Sequence, residues 1–328
     1  MQGCLPLRLA GIAMAFVAHG AYAATTLTMA TEYPATSMPG QGVSTFADLV
    51  RAKTAGEVII DASYDASKGI KSADMIDAVE ARKVDAGDAF AGALAVKYPL
   101  FGVSSLPFLA DSLSKARNLN KAARPAYEKL LAAHGQKLLY TTPWPASGIW
   151  SKKKLDSVAA LKSLSIRTYD ATSQAVMQKA GARAQNISFA DAMPLIASGE
   201  VNAVLSSGDG GAGRKLWEHL PHFAEINYAM PVSIATMNLE AYQALDARTR
   251  RAIDQAAAQT ETEQWKRIDG RLQQNYANMR KNGVAINTAV PLAVRKALKD
   301  AAADSVKAWK AAAGPEADAI LKPPAKKR

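Results

Sequence analysis

The chain has 328 residues, 49% apolar and 21% charged, with 21 Gly, 15 Pro, one Cys and a formal net charge of +11. That balance excludes a disordered, collagen-like or coiled-coil protein, and no stretch offers the roughly 20 uninterrupted apolar residues of a membrane-spanning helix. At about 100–200 residues per domain, the length fits two domains, each able to bury its own core.

Residues 1–23 read as an export signal. Arg8 is their only charge, Leu9 to Ala18 is almost wholly apolar, and Ala21-Tyr22-Ala23 forms a small-x-small cleavage site. The mature chain is expected to start at Ala24. After it, Thr26–Ala30 suits a buried strand, and Val43, Phe46, Leu49 and Val50 recur at helical spacing up to Gly56. Val58–Ile60 is strand-like, Ser72 fits a cap for a helix carrying Met75, Ile76 and Val79, and a strand follows near 84–90. Leu113–His134 is helical with Gly135 as its stop, and Lys137–Thr141 is a strand. In the second half, Ser165–Tyr169 reads as a strand, Thr172–Ala180 as a helix, Ser188–Asp191 as a capping box and Val201–Leu205 as a strand. A helix from about Glu240 to Asn282 is long enough to brace two domains, and Leu292–Ala313 is a last amphipathic helix. Strand and helix alternate throughout, so the fold class is α/β with mainly parallel sheet.

Cleavage removes Cys4, the only cysteine, and with it any thiol nucleophile, disulfide or thiolate metal site. His219 and His222 flank Pro221 and lack a metal-binding spacing, so no metal and no cofactor is expected. Losing Arg8 from 40 basic and 29 acidic residues leaves 39 against 29, a charge of +10. The excess is spread over helical faces, with Lys326-Lys327-Arg328 read as a solvated end. Without basic–aromatic clusters or a recognisable module, small anions are the natural partners rather than nucleic acid.

Arg167 is the most informative residue, because a guanidinium within a β-strand is costly unless an anion pairs with it. Its fork suits a carboxylate bidentately; a ligand and a protein Asp or Glu serve equally well on sequence alone. Ser206–Gly213 is a Gly-rich turn after a strand, either an anion cradle that includes Ser206, Ser207 and Asp209 or a plain connection. Tyr33, Phe90, Trp144, Trp150, Tyr169 and Tyr228 sit at predicted strand ends, where they line a cleft or pack a core or hinge. Lys71, just ahead of Ser72, completes the candidate ligand-binding set. No G-x-S-x-G elbow or family-specific Ser/His/Asp spacing is present, so no catalytic residue is assigned.

The arrangement resembles the periplasmic solute-binding proteins of tripartite ATP-independent periplasmic (TRAP) transporters, of the four-carbon dicarboxylate type. Tyr33-Pro34 after the first strand, Ser105-Leu106-Pro107-Phe108 and Leu161-Lys162-Ser163-Leu164-Ser165-Ile166-Arg167 carry the likeness, the last with Ser163 where the family usually has Gly. The resemblance implies two lobes with a hinge, a long bridging helix and closure over an organic acid whose carboxylate pairs with Arg167. It also implies a periplasmic receptor, a permease as membrane partner, no direct membrane insertion and no enzyme activity. Lobe I is expected at 24–147 plus about 231–270, and lobe II at 148–230 plus about 271–328. Gly148-Ile149-Trp150 stands where sialic-acid members carry a second Arg, and Phe90 where they place a carboxylate. The pocket is therefore expected to suit an organic monocarboxylate or small dicarboxylate. The competing readings are an exported hydrolase using a Ser of the Gly-rich turn, and a ligand-sensing protein for a signalling partner.

Overall fold

The computed structural model describes residues 24–322, so the expected signal segment and the basic tail at 326–328 lie outside the described residues. A first unit is built by β1 (Thr25–Thr31), α1 (Met38–Lys53), β2 (Val58–Ser63), α2 (Met75–Glu80), β3 (Ala86–Phe90), the single turn α3 (Ala91–Leu94), α4 (Leu113–Ala133) and β4 (Gln136–Pro143). A second follows with β5 (Ser147–Ser151), α5 (Val158–Lys162), β6 (Ser165–Thr168), α6 (Ala171–Lys179), β7 (Arg183–Asn186), α7 (Phe189–Ser198), β8 (Ala203–Ser207), α8 (Gly208–Gly213) and β9 (His222–Ala224). The chain then returns through β10 (Val232–Asn238) and α9 (Leu239–Gln243) to α10 (Ala247–Lys281), β11 (Ala285–Asn287), α11 (Leu292–Ala302), α12 (Ser305–Ala313) and α13 (Glu316–Leu321).

Two sheets result, ordered β2-β1-β3-β10-β4 and β11-β9-β5-β8-β6-β7. Helices cover both faces of each, so the strands are apolar on both sides. In β10, Val232 and Ile234 enter one core with Met75 and Tyr127, while Ala235 and Met237 enter another with Phe46 and Ile253. In β5, Ile149 and Trp150 part in the same way between two cores of the second sheet.

The sheets are mainly parallel, with one reversed strand in each. β10 runs antiparallel to β3 and β4, and β5 antiparallel to β8 and β9. β10 enters the first sheet between β3 and β4, both earlier in the chain, whereas β5 is flanked by the later strands β8 and β9.

The long helix begins later than the sequence suggests. Asp246 accepts hydrogen bonds from Arg248 N–H and Thr249 N–H and starts α10 afresh, cutting it from α9. At 35 residues and about 1.5 Å per residue, α10 is roughly 50 Å long. Its Ile253 and Ala257 pack on the first sheet and its Met279 on the second. The expected final helix is divided at Ala303-Asp304. α11 packs Val294 and Leu298 against the second unit, but Trp309 of α12 donates its indole N–H to Pro99 C=O, and Ala317 and Ile320 join the first core. Residues 305–321 thus lie on the first unit, where Trp309 finds its acceptor, and not with lobe II.

Candidate ligand site

The parallel strands of both sheets end at one crevice, the usual place for a ligand in open α/β sheets. A small cavity lies there. The first unit lines it with Tyr33 just past β1, Phe90 at the end of β3, Trp144 just past β4 and Pro231 just before β10. The second unit supplies Ser147 at the start of β5, Arg167 on β6, Tyr169 beyond it, Phe189 at the start of α7, and Ser206, Ser207 and Gly210 around the β8–α8 junction.

Arg167 is only 5% exposed. Its Nε donates to Ile187 C=O at 2.9 Å, and its guanidinium lies 4.6 Å from the centroid of the Phe189 ring. Among the described residues no carboxylate stands within ion-pair distance of it, and its terminal nitrogens make no hydrogen bond. Burial lowers its pKa from the usual value. The alternative left open by the sequence, a structural pair with a protein Asp or Glu, is therefore not what the structure holds.

Aromatic rings from both units wall the cavity in edge-to-face contact: Tyr33–Trp144 at 4.8 Å, Phe90–Trp144 at 6.4 Å and Phe90–Tyr169 at 5.1 Å. Trp144 is fixed by its indole N–H, which donates to Ser233 Oγ at 3.0 Å. Burial raises the hydroxyl pKa of Tyr33 and Tyr169, so both stay neutral donors. Asp170 next to Tyr169 caps α6 by accepting from Ser173 N–H, and burial pushes its carboxyl up to about 6.

Of the eleven residues singled out from the sequence, Arg167, Tyr33, Phe90, Trp144, Tyr169, Ser206 and Ser207 line the cavity. Four do not. Lys71 is half exposed and pairs with Asp191 at 2.7 Å across the two units. Trp150 is fully buried beneath the site, its indole N–H donating to Ser207 C=O. Asp209 is spent as an anchor: its carboxylate accepts from Met38 N–H, Arg271 Nε and Asn275 Nδ2. Tyr228 stands behind Tyr169, their centroids 6.4 Å apart. The Gly-rich segment is also not an open turn: Ser207 Oγ accepts from Gly210 N–H and starts α8. The sequence reading missed Ser147, Phe189, Gly210 and Pro231. Phe189 had a signal in Ser188, whose capping role places the next side chain at a helix start beside the crevice.

Chemically, the arrangement offers a buried cation, hydroxyls and aromatic faces to a ligand. Ser207 Oγ is engaged in its cap, and none of His134, His219 and His222 lines the cavity. Among the described residues no group of three or more His, Cys, Asp or Glu is placed to hold a metal. At 148, a Cβ would overlap the Phe223 ring and Ala224 C=O, so no second guanidinium fits there.

The sequence pattern of the bacterial extracellular solute-binding proteins, family 7 (DctP), matches residues 29–312. The chain belongs to this family. A comparison with curated protein sequences finds no match. Among solved structures, the solute-binding protein is similar to DctP7 of Bordetella pertussis, an extracytoplasmic solute receptor binding pyroglutamic acid. The two are 28% identical over 91% of this chain and 98% of that one, with a TM-score of 0.86. A marine metagenome TRAP solute-binding protein specific for pyroglutamate is 28% identical over 91% and 98% of the two chains, with a TM-score of 0.85. A Shewanella oneidensis TRAP periplasmic solute-binding protein with bound succinate is 15% identical over 91% and 99%, at a TM-score of 0.83, and shows the fold alone. The protein is a two-lobed TRAP-type solute receptor, not an enzyme. Among the described residues no helix is long and apolar enough to cross a membrane.

Proposed function

We propose that this receptor binds a compact cyclic monocarboxylate of the pyroglutamate kind in the periplasm and delivers it to a membrane permease. One observation supports the reading above all: a buried guanidinium that no described carboxylate contacts faces a small cavity walled by aromatic rings. Among the described residues, Arg167 is the only cation lining that cavity. A dicarboxylate would bring a second charge with no partner, and a sugar acid would bring more hydroxyls than three serines and two tyrosines can satisfy. A flat lactam ring bearing one carboxylate suits both the arginine and the rings, and Ser147, Ser206 and Ser207 offer partners for its amide. The two 28%-identical relatives that bind pyroglutamate agree with this.

The moving lobes in this proposal are the two sheet-centred units, with residues 305–321 travelling with the first. Both lobes contribute walls, so only the closed state makes the full set of contacts, and ligand shifts the population toward it. A thermal-shift screen tests the ligand class, since an acid at 100 times its Kd stabilises by about 2.7 kcal/mol. Pyroglutamate should raise the melting temperature; a rise with succinate or galacturonate and none with pyroglutamate would reject the assignment. Export is tested by intact mass of periplasmic material, which should begin near Ala24.

A further inference from the structure

We infer that Phe189 is a positioning residue that couples capture of a carboxylate by Arg167 to the Arg214 contact that holds the lobes together. The inference rests on the ligand site proposed above but not on the identity of the acid. The Phe189 ring is 3% exposed and carries two guanidinium groups, Arg167 at 4.6 Å and Arg214 at 5.8 Å from its centroid. Their guanidinium carbons are therefore no farther apart than those two distances taken together. Arg214 belongs to the second lobe, just past α8, yet both its partners are in the first. Its Nη2 donates to Glu32 C=O at 2.8 Å, and its Nη1 lies 3.3 Å from Asp65 Oδ1. Glu32 directly precedes Tyr33, a wall of the cavity. The same α7 start sends Asp191 to Lys71 of the first lobe at 2.7 Å, and Ile187 C=O holds Arg167 Nε.

These contacts fix the sign of the coupling. Arg214 has Asp65 and a carbonyl oxygen in contact to offset its charge, whereas Arg167 has no carboxylate in contact and only Glu32 and Asp170 at longer range. With Arg167 unneutralised, two like charges share one buried ring, and their repulsion acts against Arg214 reaching its partners on the other lobe. Repulsion at this range in a partly buried setting shifts an equilibrium by roughly tenfold. A ligand carboxylate on Arg167 removes it, and Arg214 can then pin the lobes. Phe189 is needed because it holds both groups at a set separation.

Neutralising Arg167 by substitution reproduces the charge effect of the ligand without any ligand present. The chain has no cysteine after Cys4, so Asp61→Cys on the first lobe and Glu200→Cys on the second, both exposed positions, carry spin labels at defined places. The measurement is the fraction of unliganded protein at the short interlobe distance. Arg167→Met should raise the ratio of closed to open protein several-fold, up to about tenfold, with Arg167→Gln serving if the Met variant does not fold. The rise should vanish when Arg214→Gln or Phe189→Leu is added. No rise on neutralising Arg167, or a rise that survives Arg214→Gln, overturns the coupling. A rise that is lost with Arg214→Gln but survives Phe189→Leu overturns the role of Phe189. Pyroglutamate failing to bind would reject the ligand assignment and leave this measurement decisive.

Discussion

Replacing Arg167 with Met separates a ligand-binding arginine from a structural one. In the unliganded protein the substitution removes one hydrogen bond, Nε to Ile187 C=O at 2.9 Å, and a contact with the Phe189 ring. A bond from a charged donor contributes about 1.5–3 kcal/mol. Against it stands the desolvation of a buried cation that no described carboxylate contacts, several kcal/mol in its own right. Met fills most of the volume of the arginine stem, so no large cavity opens. The unliganded melting temperature should therefore stay within a few degrees of wild type or rise. Binding should collapse, because truncating one partner of a buried charge pair costs about 2–5 kcal/mol, or thirty-fold and more in Kd at 1.4 kcal/mol per decade. Arg167→Lys should recover only part, since an ammonium keeps the charge but loses the fork. Calorimetric titration with pyroglutamate, beside unliganded melting curves, reads both quantities. A variant that melts well below wild type and still binds normally would refute the reasoning.

Burial pushes the carboxyl of Asp88, whose Oδ1 accepts from Thr31 Oγ1, up to about 7, and that of Asp170 up to about 6. Both hold their protons more tightly folded than unfolded, so their contribution is full below about pH 4 and is lost as pH rises through 6 and 7; melting temperature should fall over that window, and a slope unchanged in Asp88→Asn would contradict the assignment. Gly211→Ala should lower the melting temperature by several degrees, because its Cβ would overlap the fully buried Trp150 indole and overpacking costs about 1–3 kcal/mol. Gly270→Ala is the control: nothing lies within 4 Å of its Cβ, and the helix should gain about 0.5–1 kcal/mol. Lys71→Ala should change affinity by no more than about fivefold, since a half-exposed ion pair contributes about 0–1 kcal/mol; a hundredfold loss would return Lys71 to the ligand contacts.

The alternation of apolar runs and capped helices made the α/β class legible, and most elements fall within a few residues of expectation. The reversal of one strand in each sheet was not legible. Nothing local to Val232–Asn238 or Ser147–Ser151 records that each is inserted antiparallel between neighbours distant in sequence. The division at Ala303-Asp304 was equally hidden, because α11 and α12 share one Ala-rich amphipathic pattern and differ only in which unit each meets. At the site, Arg167 stood out because charge inside a strand is rare and has one remedy. The aromatic residues did not sort themselves. Trp144 and Trp150 lie at similar strand boundaries, yet one lines the cavity and the other supports α8 from below, a distinction set by the pleat of β5 and by Gly211. Asp209 and Lys71 were drawn in by polarity, and tertiary partners had already claimed both.

The position of β10 also governs how the first lobe comes into being. It lies between β3 and β4, whose last residues are Phe90 and Pro143, while β10 itself starts only at Val232. At synthesis rates of about 5–20 residues per second, β4 waits about 5–20 s and β3 about 7–30 s for the strand that joins them. Until then each presents an unpaired backbone edge, and the core that Ile234 shares with Tyr127 stays unfinished. The nascent first sheet is thus held incomplete through the synthesis of β5 to β9, a delay that favours holding factors over early folding for this chain.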